Sequence, residues 1–336
     1  MAMNRDEWLR LMAEAPLEPA LPICDPHHHL WERPGDLYLL DDVLGDIRNS
    51  GHNVLSTVFV ECTSRYRQDG PEEMRPLGET AFVEAIGAEA ASRPRGTPRI
   101  AAGIIGYANL TLGAGVAPVL EAHLAASPKR FRGIRHICVW ETDPAIPITA
   151  PVRRAGLMLD SKFREGFALL AQYKLRFEAW LYYRQLPELA SLARAFPQVP
   201  IILNHIGGVL GIGSYAGKRD AVFQEWKRGI ADVAACPNVF AKLGGLGMPR
   251  SGFGWEGQSA PPDSTALAAA TAPYYLACIE KFGPSRCMFE SNFPVDKASY
   301  SYGVVWNSFK RMTQQFSASE RAALFHDTAV KAYALA

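Results

Sequence analysis

The sequence of 336 residues lacks several features that would assign it to a specialised class of protein. Its six cysteines stand singly, with no Cys-x-x-Cys pair. This usage is typical of a reduced intracellular protein, in which cysteine serves mostly as a small buried hydrophobe. Basic and acidic side chains nearly balance, 35 against 34, so no bulk charge attracts nucleic acid or an anionic membrane.

Long hydrophobic runs are also missing. No stretch of about 18 apolar residues occurs, so no segment is expected to span a bilayer. Residues 1–20 contain acids and prolines in place of a continuous apolar segment, so no signal peptide is expected. We therefore expect a cytoplasmic protein that binds a small molecule, with neither nucleic acid nor membrane as a partner. A homo-oligomer is left open.

The chain contains an ordinary globular composition and a repeated strand–helix pattern. Hydrophobic residues make up 48% and charged residues 21%, and the length allows a sizeable core. Eight short β-branched or apolar segments alternate with amphipathic stretches of helical period. The predicted strands cover residues 23–29, 54–62, 99–110, 133–140, 175–183, 199–205, 238–246 and 287–293. Eight such units predict a parallel (β/α)8 TIM barrel.

The alternative is an open, doubly wound sheet that binds a dinucleotide. That fold is typified by a Gly-x-Gly-x-x-Gly turn after the first strand, and the sequence has none there. We predict one barrel domain over residues 23–336, preceded by an N-terminal extension over residues 1–22. Long loops are predicted after strand two, at residues 63–76, and after strand seven, at residues 247–264; both lie on the face where barrels build their active sites.

Three consecutive histidines lie in "CDPHHHLW", at the end of the first predicted strand. Because side chains alternate along a strand, His27 and His29 share one face and His28 takes the other. His205 ends the sixth predicted strand, "IILNH", so the barrel brings it to the same rim. Imidazoles in this arrangement grip one cation or act directly on one substrate oxygen. We interpret His27, His29 and His205 as a site.

The other histidines carry less information. His136 lies within the fourth predicted strand, and the sequence leaves open whether it faces inward or outward. His52, His123 and His326 are expected in loops or on helix surfaces, and His28 is expected to pack behind its strand.

With these histidines and "FESNFP" at the eighth strand, the chain resembles the amidohydrolase superfamily. It is most similar to the amidohydrolase-2 group, which includes fuconolactonase-like enzymes and 2-pyrone-4,6-dicarboxylate lactonases. The similar segments run over nearly the whole chain: "DPHHHLW", "FRGIRH", "LRFEAW", "RQLPELASLARAFPQVPIILNHIGG", "NVFAKLGGL" and "CMFESNFPVD". The resemblance implies a (β/α)8 barrel that hydrolyses cyclic esters. Relatives in the wider family hydrolyse other bonds or decarboxylate aromatic acids, some with a divalent metal and some without.

The chain departs from the family pattern at the eighth strand. That pattern reads Phe-Gly-Ser-Asp-Trp-Pro, in which the Asp is a metal ligand or general base; here Asn292 takes the Asp position and Glu290 the Gly position. An amide cannot take up a proton near neutrality and is a weaker ligand for a cation. Glu290 shares the strand face of Asn292 and replaces the missing acid, or pairs with Lys242 of the seventh strand. Asp296 is a further carboxylate, expected beyond the strand.

Several polar residues are predicted to contact the substrate. Guanidinium groups bind carboxylates through two hydrogen bonds, and Arg135 lies in an otherwise apolar strand, where it needs a partner or a ligand. The predicted substrate-binding residues are Glu61, Tyr66, Arg67, Arg135 and Arg184.

Together these features predict a hydrolase that opens a lactone, one that bears a carboxylate. The predicted catalytic residues are His27, His29, His205, Glu290 and Asn292. The cofactor is none or one divalent cation, zinc or manganese, held by His27, His29 and His205; Asn292 favours the metal-independent form. The base that takes the proton from water is Glu290, Glu61 or His205. The alternatives are a metal-dependent decarboxylase of an aromatic acid and a non-catalytic binding barrel.

Overall fold

The computed structural model describes residues 4–335. Its eight-stranded sheet is parallel throughout, and neighbours in the sheet are neighbours in the chain. The strands are β1 (Ile23–His28), β2 (Val54–Val60), β3 (Arg99–Gly106), β4 (Phe131–Ile137), β5 (Arg176–Trp180), β6 (Ile201–Leu203), β7 (Val239–Leu243) and β8 (Cys287–Phe289). The prediction of eight parallel strands is confirmed.

The sheet closes on itself where the chain segment after β8 meets β1. His28 and Phe293 form an isolated parallel bridge. The backbone N–H of Asn292 donates to the carbonyl of His27 at 3.0 Å, and that of His29 donates to the carbonyl of Phe293 at 2.8 Å. The result is a (β/α)8 barrel, as the sequence predicts.

Most of the helices cover the outside of the barrel, whereas the short segment His205–Gly208 is a turn with left-handed φ angles at the rim. The helices are α1 (Arg5–Arg10), α2 (Leu40–Ser50), α3 (Leu77–Ser92), α4 (Ala117–Ala126), α5 (Ser161–Gln172), α6 (Leu186–Ala195), α7 (His205–Gly208), α8 (Arg219–Ala234), α9 (Ser264–Phe282), α10 (Tyr302–Met312), α11 (Ala318–Ala322) and α12 (Thr328–Tyr333), with a π-helical turn at Ala323–Asp327 between the last two. A short antiparallel hairpin, Trp31–Arg33 with Asp36–Tyr38, follows β1. Over residues 4–335, no helix combines the length and apolar character that a bilayer crossing requires.

The main core lies between the sheet and the helices, where nearly every strand residue is buried. A smaller apolar cluster inside the barrel includes Val58, Ile105, Ile202 and Met288, and α12 adds Tyr333 to it. The described part of the N-terminal extension packs on the barrel: Asn307 of α10 donates to Glu14 and Ala15, at 2.9 Å each. The barrel floor is therefore filled, and the opposite end is left for a site.

Candidate active site

A cavity of about 620 Å³ opens at the carboxyl ends of the barrel strands. Part of its wall is built from residues that end a barrel strand or closely follow one. These are His29 after β1, Glu61 after β2, Trp180 at the end of β5, His205 after β6 and Asn292 after β8. The carboxyl ends of the parallel strands all lie at one rim of the barrel, so segments far apart in sequence meet here.

The three predicted histidines meet at the inner end of this cavity. The ring centroid of His27 lies 4.9 Å from that of His29 and 4.5 Å from that of His205. His29 and His205 line the cavity, and His27 is fully buried beside them. His28 points to the other side of β1, where its Nε2 lies 2.9 Å from Thr57 Oγ1. The alternation of side chains along β1 therefore holds.

Hydrogen bonds fix which nitrogen of each cavity-lining imidazole is free. His29 Nδ1 lies 2.7 Å from the carbonyl oxygen of Val60, which can only accept, so Nδ1 carries the proton. In the neutral ring, Nε2 then has a lone pair. Burial lowers the pKa of His27, His29 and His205 well below the usual range, so all three imidazoles are neutral near pH 7. His27 Nε2 is buried and has no hydrogen-bond partner among residues 4–335.

Glu290 lies against two of these imidazoles and is fully buried. Its Oε1 is 2.7 Å from His205 Nδ1 and 3.2 Å from the backbone nitrogen of His205. Its Oε2 is 2.7 Å from His27 Nδ1, without the alignment of a hydrogen bond. Burial raises the pKa of Glu290 to about 8. Glu290 is absent from the cavity wall, so it contacts the imidazoles and not the space a substrate would fill.

Lys242 pairs with Glu178, and the predicted pairing with Glu290 is wrong. Lys242 Nζ lies 2.8 and 2.9 Å from the two carboxylate oxygens of Glu178, and 3.2 Å from His27 Nδ1. The reason is register: Lys242 stands opposite Met288, two residues before Glu290. Glu290 therefore lies nearer the carboxyl end of the barrel than Lys242 does, at the level of the histidines.

Asn292 lines the cavity, and Asp296 contacts its amide on the side away from the cavity. Its Nδ2 donates to Asp296 Oδ1 at 2.7 Å, so Oδ1 is the amide atom that remains for a ligand. Asp296 also accepts from the Tyr300 hydroxyl at 2.6 Å and from the Gly247 N–H at 3.1 Å. Burial raises the pKa of Asp296 to about 7. The acid missing from position 292 is thus present one turn later, buried behind the amide.

Arg135 and Glu61 form a buried pair in the cavity wall. Arg135 Nε donates to Glu61 Oε1 at 2.7 Å, and Arg135 Nη2 donates to the carbonyl of Glu61. Both side chains line the cavity. The Arg135 guanidinium therefore has both a protein partner and a face toward a ligand.

The lining of the cavity is positively charged. It includes four arginines, Arg33, Arg135, Arg153 and Arg250, and only one carboxylate, Glu61. Arg250 donates to the Tyr182 hydroxyl at 3.1 Å and lies 5.5 Å from the ring centroid of Trp180. A low-dielectric cleft with this charge concentrates anions.

Two hydrogen-bond donors in the lining lack partners. Tyr66 Oη and Trp31 Nε1 are buried without a hydrogen bond to any of residues 4–335. Buried donors of this kind are normally satisfied, so both are candidates to bind polar atoms of a ligand.

Two of the predicted substrate-binding residues lie elsewhere. Arg67 is exposed and is not part of the cavity wall. Arg184 lies in a separate cavity of about 260 Å³ and donates to the Tyr215 hydroxyl at 3.4 Å. The cavity position of Glu61 and Arg135 can be predicted because Glu61 directly follows β2 and Arg135 lies within β4. Nothing in the sequence fixes the direction of a loop side chain such as Arg67 or Arg184.

The sequence reasoning missed several cavity residues and the partner of Lys242. Arg153 and Arg250 lie in the connections after β4 and β7, Trp31 and Arg33 belong to the hairpin after β1, and Trp180 ends β5. The loop after β7 was predicted to be functional without a particular residue, and the segment after β4 that carries Arg153 was not singled out. The signal for Glu178 was available, since "RFEAW" places one acid within an apolar strand.

The remaining histidines are structural. His136 packs outward, 5.4 Å from the Tyr107 ring and 5.2 Å from the Phe163 ring. His52 lies in the loop between α2 and β2, as one of the two predicted locations, although it is buried there. The prediction of a helix-surface position for His123 is wrong, because His123 is buried in α4 and its Nδ1 lies 2.8 Å from Thr80 Oγ1. A helix facing the sheet buries polar residues on its inner side when partners are present.

Among the described residues, one buried group of side chains could hold a metal ion. His27, His205 and Glu290 offer ligand atoms that all lie within 4.8 Å of one another. The unpartnered Nε2 of His27 and the unprotonated Nε2 of His29 fit the same purpose, because zinc and similar ions bind the neutral imidazole. The residues present therefore fit a divalent cation.

The fold and this site define a barrel with clustered imidazoles at its rim. A family model described as amidohydrolase matches residues 24–335, so the chain belongs to the amidohydrolase family.

Several known proteins are similar to this chain. An uncharacterised protein of Sinorhizobium fredii, y4mH, is 33% identical over 335 residues, covering 93% of this chain and 98% of that protein. The L-fucono-1,5-lactonase of Burkholderia multivorans is 28% identical over 263 residues, covering 76% and 77%. The structure of a Burkholderia multivorans amidohydrolase with bound zinc has a TM-score of 0.70 at 23% identity, covering 94% and 99%. The last comparison bears on the fold alone.

Proposed function

We propose that this chain hydrolyses a lactone that bears a carboxylate group. The observation that supports it most is the meeting of His27, His29 and His205 at one cavity whose wall carries four arginines. A lactone carbonyl needs an attacking water and a means of stabilising negative charge on its oxygen, and a carboxylate substituent needs cations. Similarity to a fuconolactonase points to the same reaction class.

The arginines bind and orient the substrate. Arg135 is held in the cavity wall by Glu61, and Arg250 lies in the wall beside the Trp180 ring. A substrate acid held by either guanidinium sets the lactone ring against His29 and His205. Holding the reacting groups in this way accounts for a large part of an enzymatic rate.

His27, His29 and His205 would hold a divalent cation in this site. Bound there, the cation supplies charge for the carbonyl oxygen and makes a water more acidic. The direct alternative, an oxyanion hole of imidazoles, needs N–H donors at the cavity. Neutral His29 offers a lone pair at Nε2 and no N–H there, so it cannot donate to an oxyanion. This observation favours the metal-dependent mechanism, whereas Asn292 taken alone favours the metal-independent one.

The proton released by water goes to a group at the cavity wall. Of the three candidate bases, Glu61 and His205 line the cavity and Glu290 does not. With a cation on the His205 nitrogen, Glu61 is the base; without one, His205 is. Asn292 Oδ1 accepts a hydrogen bond from the attacking water and so orients it.

A panel of acidic sugar lactones and pyrones, assayed by acid release, tests the proposal. We expect one or more members to be opened, and His29→Ala to lower turnover by about 10²-fold or more. His326→Ala, on the outer surface, is the matched control and should keep the wild-type rate. Near-wild-type turnover by His29→Ala on the best substrate would remove the proposed site. Metal content of the purified protein, near one zinc or manganese per chain, is the expected companion result.

A further inference from the structure

His205 lies in a segment whose backbone is unfavourable for ordinary residues. The φ angles of His205 and Ile206 are +52° and +51°, and Gly207 and Gly208 follow at +77° and +50°. Left-handed conformations cost free energy in residues with a Cβ, so the surrounding structure must hold them in place. Such held segments concentrate at functional sites.

Glu290 supplies two of the contacts that hold this segment. Its Oε1 accepts from the backbone N–H of His205 at 3.2 Å and lies 2.7 Å from His205 Nδ1. The backbone nitrogen can only donate, so the oxygen that faces it must be an acceptor. We take Oε1 as the carbonyl or carboxylate oxygen on this ground, which leaves Oε2 for any proton of the carboxyl group. With the proton on Oε2 or absent, Oε1 accepts from His205 Nδ1.

The neighbouring strand leaves room for this arrangement. A Cβ at Gly244 would lie 2.4 Å from Glu290 Cγ, and a Cβ at Gly245 would lie 2.4 Å from His205 Nδ1. Real Cβ atoms do not approach so closely, so the two glycines after β7 are required for Glu290 and His205 to occupy their positions. The two glycines thus leave the room that the side chains of Glu290 and His205 occupy.

We propose that Glu290 is a positioning residue that fixes His205 as the tautomer protonated at Nδ1, so that an unprotonated Nε2 faces the cavity. His205 can then bind a cation or take a proton, and it cannot donate to an oxyanion while neutral. Glu290 itself is neither the base nor a group that touches substrate. The effect on turnover rests on the proposed hydrolase function, whereas the tautomer does not.

Two substitutions of Glu290 by residues of similar size distinguish the effect of its hydrogen-bond acceptor from the effect of its side-chain volume. Glu290→Gln keeps a carbonyl oxygen that accepts from His205, and Glu290→Met fills the space without an acceptor. Nitrogen-15 NMR of histidine-labelled protein reads the tautomer of each ring. We expect unprotonated Nε2 for His205 in the wild type and in Glu290→Gln, and a mixture of tautomers in Glu290→Met. The signals of His28, which bonds to Thr57, should be the same in all three.

Activity and metal affinity add a second readout. Glu290→Met should lose about 10- to 100-fold in turnover or in zinc affinity, the usual cost of removing a group that orients an imidazole. Glu290→Gln should retain most of both. A wild-type His205 protonated at Nε2 would overturn the proposal, as would an unchanged tautomer in Glu290→Met. Equal loss of turnover in Gln and Met variants, with the tautomer kept in Gln, would make Glu290 the base instead. Absence of lactone turnover in every form, with the tautomers as expected, would count against the function alone.

Discussion

Asn292 and Asp296 act as a pair, because a hydrogen bond joins their side chains and Asp296 fixes the orientation of the Asn292 amide. The amide nitrogen donates to the carboxylate at 2.7 Å, which leaves the amide oxygen toward the cavity. A carboxylate at 292 would meet the carboxylate of 296 at the same distance. The substitution of the family's acid by an amide is therefore coupled to a buried acid one turn later.

We expect Asn292→Asp to destabilise the fold and lower activity. It places two buried carboxyls in contact and removes the only N–H between them, at a cost of about 1–3 kcal/mol. The loss should be larger at pH 8, where both groups tend to ionise, than at pH 5, where one keeps a proton and can donate. Urea unfolding of the variant and the wild type at the two pH values measures it.

The exchange of both residues is the control for this prediction. Asn292→Asp combined with Asp296→Asn restores one acid and one amide, and the Tyr300 and Gly247 donors then meet an amide oxygen. Stability should return toward the wild type. A single variant as stable and active as the wild type would mean that the amide has no special role.

Arg250 is the residue on which we expect substrate charge to depend. Arg250→Gln removes one of the four cavity cations, so KM for an acidic lactone should rise about 10- to 100-fold, the equivalent of a charged hydrogen bond, with a smaller change in kcat. Steady-state kinetics of the wild type and Arg250→Gln, with the acidic lactone and with its uncharged amide, measure the changes in KM and kcat. Arg219→Gln, an exposed residue that donates to Gly252, should leave both parameters unchanged. Equal KM values for wild type and Arg250→Gln would exclude this role.

At the scale of the residue, the sequence predicts what strand alternation fixes and misses what register and loops decide. The pairing of His27 with His29 follows from the period of two along β1. The partner of Lys242 depends on where β8 stands relative to β7, which no local pattern reveals. The direction of Arg67, Arg153 and Arg250 depends on loop conformation.

At the scale of the element, strand ends matter more than strand lengths. The sixth predicted strand covers residues 199–205, whereas β6 is Ile201–Leu203, and His205 lies in the turn beyond it. The turn changes the backbone of His205 to the left-handed region and directs its ring to Glu290. The sequence predicts the location of His205 at the rim, and the turn that aims it could not be predicted from the strand pattern.

Gly244, in the segment after β7, allows a test of how closely this turn and Glu290 are packed. Gly244→Ala puts a Cβ 2.4 Å from Glu290 Cγ, so Glu290 and His205 must shift. Displacing a group at the site by an ångström lowers turnover by up to about 10²-fold, and we expect a loss of that order. The Cβ would also lie 2.6 Å from the Glu290 carbonyl oxygen, so we expect overpacking to lower stability by about 1–3 kcal/mol. Turnover and thermal unfolding of purified protein measure the two effects.

Gly257→Ala is the matched control in the same loop, because a Cβ there meets nothing within 4 Å. Its turnover should equal that of the wild type. If Gly244→Ala were equally active, the space beside Glu290 would not matter for catalysis.

At the scale of the whole molecule, buried neutral histidines couple stability to pH. Burial lowers the pKa of His28, His52, His123 and His136 to about 4 each. Above pH 6.5 each is neutral whether the chain is folded or unfolded; as pH falls from 6.5 toward 4, only the unfolded chain takes up protons, and stability is lost. Buried carboxyls with raised pKa, such as Asp296 at about 7, act in the opposite direction.

A single histidine variant isolates one of these contributions. His123→Gln should be less stable than the wild type at pH 7, because it loses contacts with Thr80 and Phe131. Its stability should fall less steeply between pH 6.5 and pH 4, by about one proton. Urea unfolding across this range gives the slopes. Identical slopes would show that His123 titrates normally in the folded protein.

The most direct test of the account as a whole is the fate of solvent oxygen. The panel member that is consumed fastest, judged by its disappearance, is turned over in ¹⁸O-labelled water. The mass of the product is determined by mass spectrometry, and carbon dioxide is measured. Hydrolysis at the three-imidazole cavity predicts one labelled oxygen in the new carboxylate, no carbon dioxide, and loss of labelling in His29→Ala. Release of carbon dioxide without incorporation of solvent oxygen would contradict it and assign the barrel to decarboxylation.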